Sequence, residues 1–145
     1  MWISGEAGGS AIADVLFGKV NPSGKLSETF SYTMNPLLDY PGDGFKVTYP
    51  EQWKVGYRYF DSFGIKPTYR FGFGLSYTDF SIDFTDCTLD GTKITVKAMV
   101  KNVGDVAGKE VVQLYMSEPQ GELYKVYQQL VGFAKTKTLN PNEET

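Results

Sequence analysis

Residues 53–78 set the terms for the rest of the chain. In twenty-six positions they hold one Trp, eight Tyr or Phe and four Gly. Aromatic rings bring large apolar area at low conformational cost and glycines allow sharp bends, so this mixture suits a connector pressed between two packed bodies. A free linker would be polar. Upstream lie Gly-rich turns around a strand-helix-strand pattern, and downstream lie alternating strands. The stretch is therefore read as the seam between two domains, neither of them whole in this chain.

Residues 8–17 place Ala11, Ile12, Val15 and Leu16 on one helical stripe, with Gly18 as a left-handed stop. Asn21-Pro22-Ser23-Gly24 is a turn signal, and residues 25–30 alternate as a short strand leaving it. The cluster Gly5-Glu6-Ala7-Gly8-Gly9 matches neither phosphate-binding fingerprint and carries an acid that repels phosphate, so close helix packing is the better reading. Glu6 is expected as a first-turn acid complementing the helix dipole.

Residues 31–52 carry repeated turn signals, Asn35-Pro36, Pro41-Gly42-Asp43-Gly44 and Tyr49-Pro50, and read as an irregular strap over the surface. Within the seam, Val55, Tyr57 and Tyr59 are expected on one face of an extended segment, with Gly56, Arg58 and Phe60 on the other. Arg58 and Asp61 form either a partly buried pair or a solvated one. Trp53, Tyr57 and Tyr59 are the candidate substrate-binding residues, as rings that could stack on a sugar. The competing reading makes them core.

From Asp79 onward apolar residues alternate. Phe80, Ile82 and Phe84 share a face, as do Ile94, Val96, Ala98 and Val100; residues 111–116 and 130–133 are further apolar runs. This predicts an antiparallel sandwich, yet 67 residues remain where an immunoglobulin-type sandwich needs about 100. The closing strands are expected to be missing.

Three groups of motifs carry a resemblance. Gly56-Tyr57-Arg58-Tyr59-Phe60-Asp61 with Phe71-Gly72-Phe73-Gly74-Leu75-Ser76-Tyr77-Thr78 is similar to the inter-domain connector of family 3 glycoside hydrolases, of the β-glucosidase and β-xylosidase type. Residues 8–18, Asn21-Pro22-Ser23-Gly24-Lys25-Leu26 and Thr29-Phe30 resemble the end of that family's α/β sandwich domain. Residues 101–115, with Leu130-Val131-Gly132-Phe133 and Leu139-Asn140-Pro141, resemble its fibronectin type III-like domain. Gln52 and Trp53 stand where many members have Gly and an aliphatic residue. The resemblance implies a mainly β chain with a small α/β part. It comprises the end of an α/β sandwich domain (1–32), an aromatic connector (33–78) and a C-terminally truncated fibronectin type III-like domain (79–145).

The resemblance also implies a function. The parent would be a retaining glycosidase acting on terminal β-linked glucosyl or xylosyl units. Its nucleophile would come from an N-terminal barrel and its general acid from the earlier part of the α/β domain, and these missing parts are the expected partners. Ser4-Gly5-Glu6 is not given the acid's role, because the family's acid lies well upstream of the Gly-Gly helix. No catalytic residue is therefore assigned, and the segment alone is expected to be structural and inactive. The alternative is a non-catalytic β-sandwich module that binds carbohydrate or protein.

Composition trims what is left. A net charge of -3 with scattered basic residues disfavours nucleic acid and anionic membranes. One Cys and no His rule out an internal disulfide, imidazole metal sites and Ser-His or Cys-His catalysis. No cofactor and no metal are expected. There is no apolar run of transmembrane length and no signal-like N-terminus, which leaves the compartment open.

Overall fold

In the computed structural model, residues 4–31, 45–46 and 52–145 are described. The strand end at residues 1–3 and the turn motifs at 35–36, 41–44 and 49–50 lie outside them. Chain contacts divide the molecule into two units: Met1–Gly24, Gly74–Val112 and Ala134–Thr145 form one, and Lys25–Phe73 with Gln113–Phe133 form the other.

The first unit opens with α1 (Gly8–Leu16). Its N-cap is Ala7, so Glu6 lies ahead of the helix and the first turn holds no acid; the expected dipole partner is absent there. Gly18 ends the helix at φ 73 and donates its N–H to Val15 O, as anticipated for a left-handed cap. The apolar stripe is only partly covered: Val15 is half-buried, while Ile12 and Leu16 are exposed. Asn21 then works as a clip, donating to Ala107 O at 3.1 Å and accepting from Ser76 Oγ and Tyr77 N, both at 2.9 Å. Tyr77 reaches back to α1 through its hydroxyl, 2.7 Å from Val15 O.

β1 (Phe80–Asp90) and β2 (Lys93–Asn102) pair antiparallel around the Gly91 turn. The ladder slips between Phe84 and Asp86, leaving Thr85 as the extra residue of a bulge. That one residue rephases the alternation. Phe80, Ile82 and Phe84 before it share a face with Cys87 and Leu89 after it, opposite Asn102, Val100, Ala98, Val96 and Ile94. The other face holds Ser81, Asp83, Asp86, Thr88 and Asp90 against Lys101, Met99, Lys97, Thr95 and Lys93, with an Asp86–Lys97 ion pair at 3.3 Å.

The unit's buried centre lies at the end of this hairpin. Asn102 and Leu139 are both fully buried. The Asn102 amide fills every hydrogen-bonding position it has: it donates to Val106 O and Leu139 O and accepts from Thr78 Oγ1 and Gly104 N. Val100 exchanges both backbone hydrogen bonds with Thr145, at 3.0 Å each, and Gly108 exchanges both with Leu139, at 3.0 and 2.7 Å. At Gly108 a Cβ would come within 2.7 Å of Asn21 Nδ2 and 2.9 Å of Thr78 Cγ2, so the close approach demands glycine.

The second unit corrects two expectations. Residues 57–62 are not extended; they form α2 (Tyr57–Ser62). Gly56 at φ 55 turns the chain into this helix, and Gly64 at φ 63 closes it, with Ile65 N–H donating to Phe60 O in a Schellman arrangement. The aromatic contacts follow helical spacing, Tyr59 lying 4.7 Å from Phe63 four residues on. Adjacent rings at 57, 59 and 60 had imitated a strand's alternation. Residues 25–30 likewise form no regular strand, because the chain bends at Ser27 and Glu28; it touches its neighbour through Leu26–Phe73, Gly72–Leu26 and Phe30–Tyr69 backbone bonds. β3 (Val111–Met116) and β4 (Gln129–Lys135) pair as a second two-stranded sheet. Among the described residues the chain is thus mostly strand with two short helices.

Candidate functional site

The site grows from α2 of the second unit and the segment that packs on it. Tyr57 Oη accepts from Leu130 N at 2.8 Å, Asp61 Oδ2 from Gln128 Nε2 at 2.9 Å, and Ser62 Oγ from Tyr127 N at 3.0 Å. Residues 127–130 are thereby held along the helix, and Val126 just before them is 6% exposed. The loop ahead is clipped by Gln120, which donates to Lys125 O and accepts from Lys125 N. Between these elements lies a pocket of 290 Å³ lined by Trp53, Arg58, Glu118, Tyr124, Lys125, Val126 and Gln129.

One wall is aromatic. The rings of Trp53 and Tyr124 lie 5.6 Å apart and tilted, and both are exposed. Lys54 Nζ sits 4.9 Å from the Tyr124 ring, 5.7 Å from Trp53 and 5.6 Å from Phe63, a cation held among three π faces.

The other wall is polar. Glu118 accepts from Lys125 Nζ and from Gln129 Nε2, each at 2.9 Å. The hydrogen bond and charge of Lys125 hold its carboxyl below the usual carboxylate range. Arg58 contributes a guanidinium 5.8 Å from the Tyr57 ring, and its Nε is buried with no hydrogen-bond partner among the described residues. No Arg58–Asp61 ion pair forms there; Asp61 accepts from Gln128 instead.

Of the three candidate residues, only Trp53 lines the pocket. Tyr57 is half-buried between Phe71 at 4.8 Å and Tyr115 at 5.8 Å. Tyr59 is 7% exposed and stacks within the unit on Phe60 and Phe63. The sequence pointed to the seam and missed the facing wall, since Glu118, Tyr124, Lys125 and Gln129 lie in a segment whose only mark is ordinary polar composition. Burial, followed by the nearby Tyr57 and Asp61 charges, pushes the Tyr115 hydroxyl above the usual tyrosine range. Among the described residues no group of three acidic, Cys or His side chains could hold a metal ion.

Chemically the pocket can grip and orient, but among the described residues it holds one carboxylate, already paired. Retaining glycoside hydrolysis needs two carboxyl groups roughly 5–5.5 Å apart.

Comparison with known proteins gives this architecture its relatives. The model of the glycosyl hydrolase family 3 C-terminal domain matches residues 1–77, and that of the fibronectin type III-like domain matches residues 110–145. Thermostable beta-glucosidase B of Acetivibrio thermocellus is 48% identical over 99% of this chain, and a beta-glucosidase of Ruminococcus albus 47% over 99%. The chain spans 20% and 15% of the length of those two proteins. Among solved structures, beta-glucosidase 3B of Thermotoga neapolitana in complex with alpha-D-glucose is similar at a TM-score of 0.90 and 44% identity, over 96% of this chain and 20% of that one. The Kluyveromyces marxianus beta-glucosidase in complex with glucose gives 0.89 and 41%, over 94% and 17%. With one family model covering more than half its residues and a second following in order, the chain belongs to glycoside hydrolase family 3.

Proposed function

We propose that this chain forms the C-terminal part of a retaining β-glucosidase that removes terminal β-linked glucosyl or xylosyl units, and that its own role is structural. In this reading residues 1–32 finish an α/β sandwich domain, residues 33–78 tie it to the next domain, and residues 79–145 belong to a fibronectin type III-like domain. The nucleophile and the general acid belong to an N-terminal barrel and the remainder of the α/β domain.

The observation that carries the reading is the joint match: relatives named as β-glucosidases align with nearly the whole chain at close to half identity. The site chemistry agrees with it. Among the described residues Glu118 is the one acid lining the pocket, and a carboxyl kept ionised by Lys125 is a poor general acid.

The test is direct. Purified 1–145 protein given p-nitrophenyl β-glucoside should release no nitrophenol above the uncatalysed rate. Turnover that disappears when Glu118 is changed to Gln would overturn the structural role.

A further inference from the structure

We propose that the outer edge of β2, from Met99 back to Lys93, accepts one further strand in trans: an extended peptide, antiparallel to β2, whose apolar residues alternate with acidic or small polar ones. The backbone sets the geometry. Val100 and Asn102 turn their N–H and C=O groups away from β1 toward residues 143–145: Val100 exchanges both hydrogen bonds with Thr145 at 3.0 Å, and Asn102 N–H donates to Glu143 O at 3.0 Å. Along a regular antiparallel strand these groups change sides at each residue, so Ala98, Val96 and Ile94 aim theirs the same way. β2 has no bulge of its own, and among the described residues β1 is its only strand neighbour. These three residues therefore leave about six ladder positions without a partner there.

Glu143–Thr145 sets the direction of an added strand. Asn142 at φ 65 turns the chain toward β2 and donates its N–H to Asn102 O at 2.9 Å. The Glu143 carboxylate holds the turn, accepting from Lys137 Nζ at 2.7 Å and from Asn140 N and Nδ2 at 2.9 and 3.0 Å. Lys101 and Glu144 then form an antiparallel bridge. A peptide that continues this alignment meets Met99 first and Lys93 last.

Side chains select the peptide. Ile94, Val96, Ala98 and Val100 share one face of β2, and Lys93, Lys97 and Lys101 share the other. The strands already beside β2 answer both rows. β1 sets Leu89, Cys87 and Phe84 against the apolar residues and Asp90 and Asp86 against Lys93 and Lys97, while Glu144 stands opposite Lys101. A peptide with apolar residues opposite Ala98, Val96 and Ile94 and acids opposite Lys97 and Lys93 repeats that pattern on the open side. Ile94 is exposed, so the added apolar row extends a surface still open to water. The β2 of a second copy fits worse, because antiparallel edge pairing brings two rows of lysines onto one face.

The edge lies wholly within the first unit, so peptide binding and nitrophenol release are independent results. The test uses the full 145-residue chain, nitrogen-labelled for NMR, and the end-capped peptide Thr-Val-Glu-Val-Thr-Val-Glu. The amide signals of Ala98, Val96 and Ile94 should move saturably and their exchange with heavy water should slow roughly tenfold, while those of Lys97 and Thr95, which face β1, change little. A nitroxide at the peptide's N-terminus should broaden Thr145 and Met99 more than Lys93. A peptide with Lys in place of both Glu should bind more weakly, and Lys97→Glu should reverse that order. Val96→Pro removes one outward N–H and should abolish the response; if it unfolds the chain, the reversal in Lys97→Glu decides instead. Amides unmoved by millimolar peptide overturn the proposal, and so does an order of preference unchanged by Lys97→Glu. Equal binding of a peptide of the same composition without alternation overturns it too, as does movement of the three amides on concentrating the protein alone, the mark of a second copy on the edge.

Discussion

Asn102 occupies the most demanding position in the first unit. A fully buried amide with two donors and two acceptor sites all engaged leaves nothing for a substitute to improve. Asn102→Ala strips partners from two carbonyls, a hydroxyl and an amide at once, and should cost more than about 2 kcal/mol in urea denaturation. Asn102→Asp keeps the shape but turns an acceptor toward Val106 O and Leu139 O, so it should be at least as damaging. The titrating residues give a second expectation. Glu118 and Glu143 are both held below the usual carboxylate range, Glu118 chiefly by Lys125 and Glu143 chiefly by Lys137. A lowered folded-state pKa contributes stability that is complete above the unfolded value and lost as pH falls through the folded one. Carboxyl carbon-13 titration should therefore show both protonating below the ordinary glutamate range, Glu118 losing that displacement in Lys125→Met and Glu143 in Lys137→Met. Tyr115 has the reverse sign: its raised hydroxyl contributes stability below the ordinary tyrosine range that is lost as pH climbs through its folded value. Ultraviolet-difference titration should find an ionisation above the ordinary tyrosine range that disappears in Tyr115→Phe. None of this was legible in the sequence, because Asn102 sits in a hairpin-like Asn-Val-Gly-Asp run that reads as a turn whatever its side chain touches.

At the scale of elements, the bulge at Thr85 keeps one side of the β1–β2 hairpin apolar. Deleting Thr85 makes Phe84 and Asp86 consecutive, so strict alternation keeps Cys87 and Leu89 on the face of Phe80, Ile82 and Phe84 with every pairing unchanged, and the shortened protein should retain its hairpin signal by circular dichroism. The two helices depend on their glycines in the same local way. Gly64→Ala places a Cβ at φ 63 and should cost about 1–2 kcal/mol. How much of this the residues announced in advance varies with the physics. β3 is found where its apolar run predicts, and α1 is found between Gly8 and Gly18, since both rest on local periodicity. α2 escaped because six residues give less than two turns, too few for period 3.6 to stand out against closely spaced rings. Gln52 takes φ 53, the left-handed region that glycine adopts at no cost. Of the candidate site, Trp53 alone could be read from sequence, because an exposed indole within an aromatic run is visible and a facing wall some sixty residues away is not.

At the scale of the molecule, each unit is assembled from segments far apart in sequence. Residues 21, 76–78, 102–108 and 139 meet in the first, and residues 53–62 meet residues 115–130 in the second. Such long-range closure suits slow, concerted folding. The described surface also carries exposed apolar residues along one side of the hairpin, Ile82, Phe84, Leu89 and Ile94. Phe84→Ser with Leu89→Ser should therefore lower light scattering of concentrated solutions, with little change in thermal midpoint. The Asn102 cluster has a consequence in time as well as in energy. One side chain fastens the backbone of Val106, Leu139 and Gly104 to Thr78, so no member can be bared to solvent while the rest stay shut. In heavy water the amide hydrogens of Gly104, Asn142 and Asn102 should trade for deuterium at one common pace, as a single latch, while the turn at Gly91 exchanges at once.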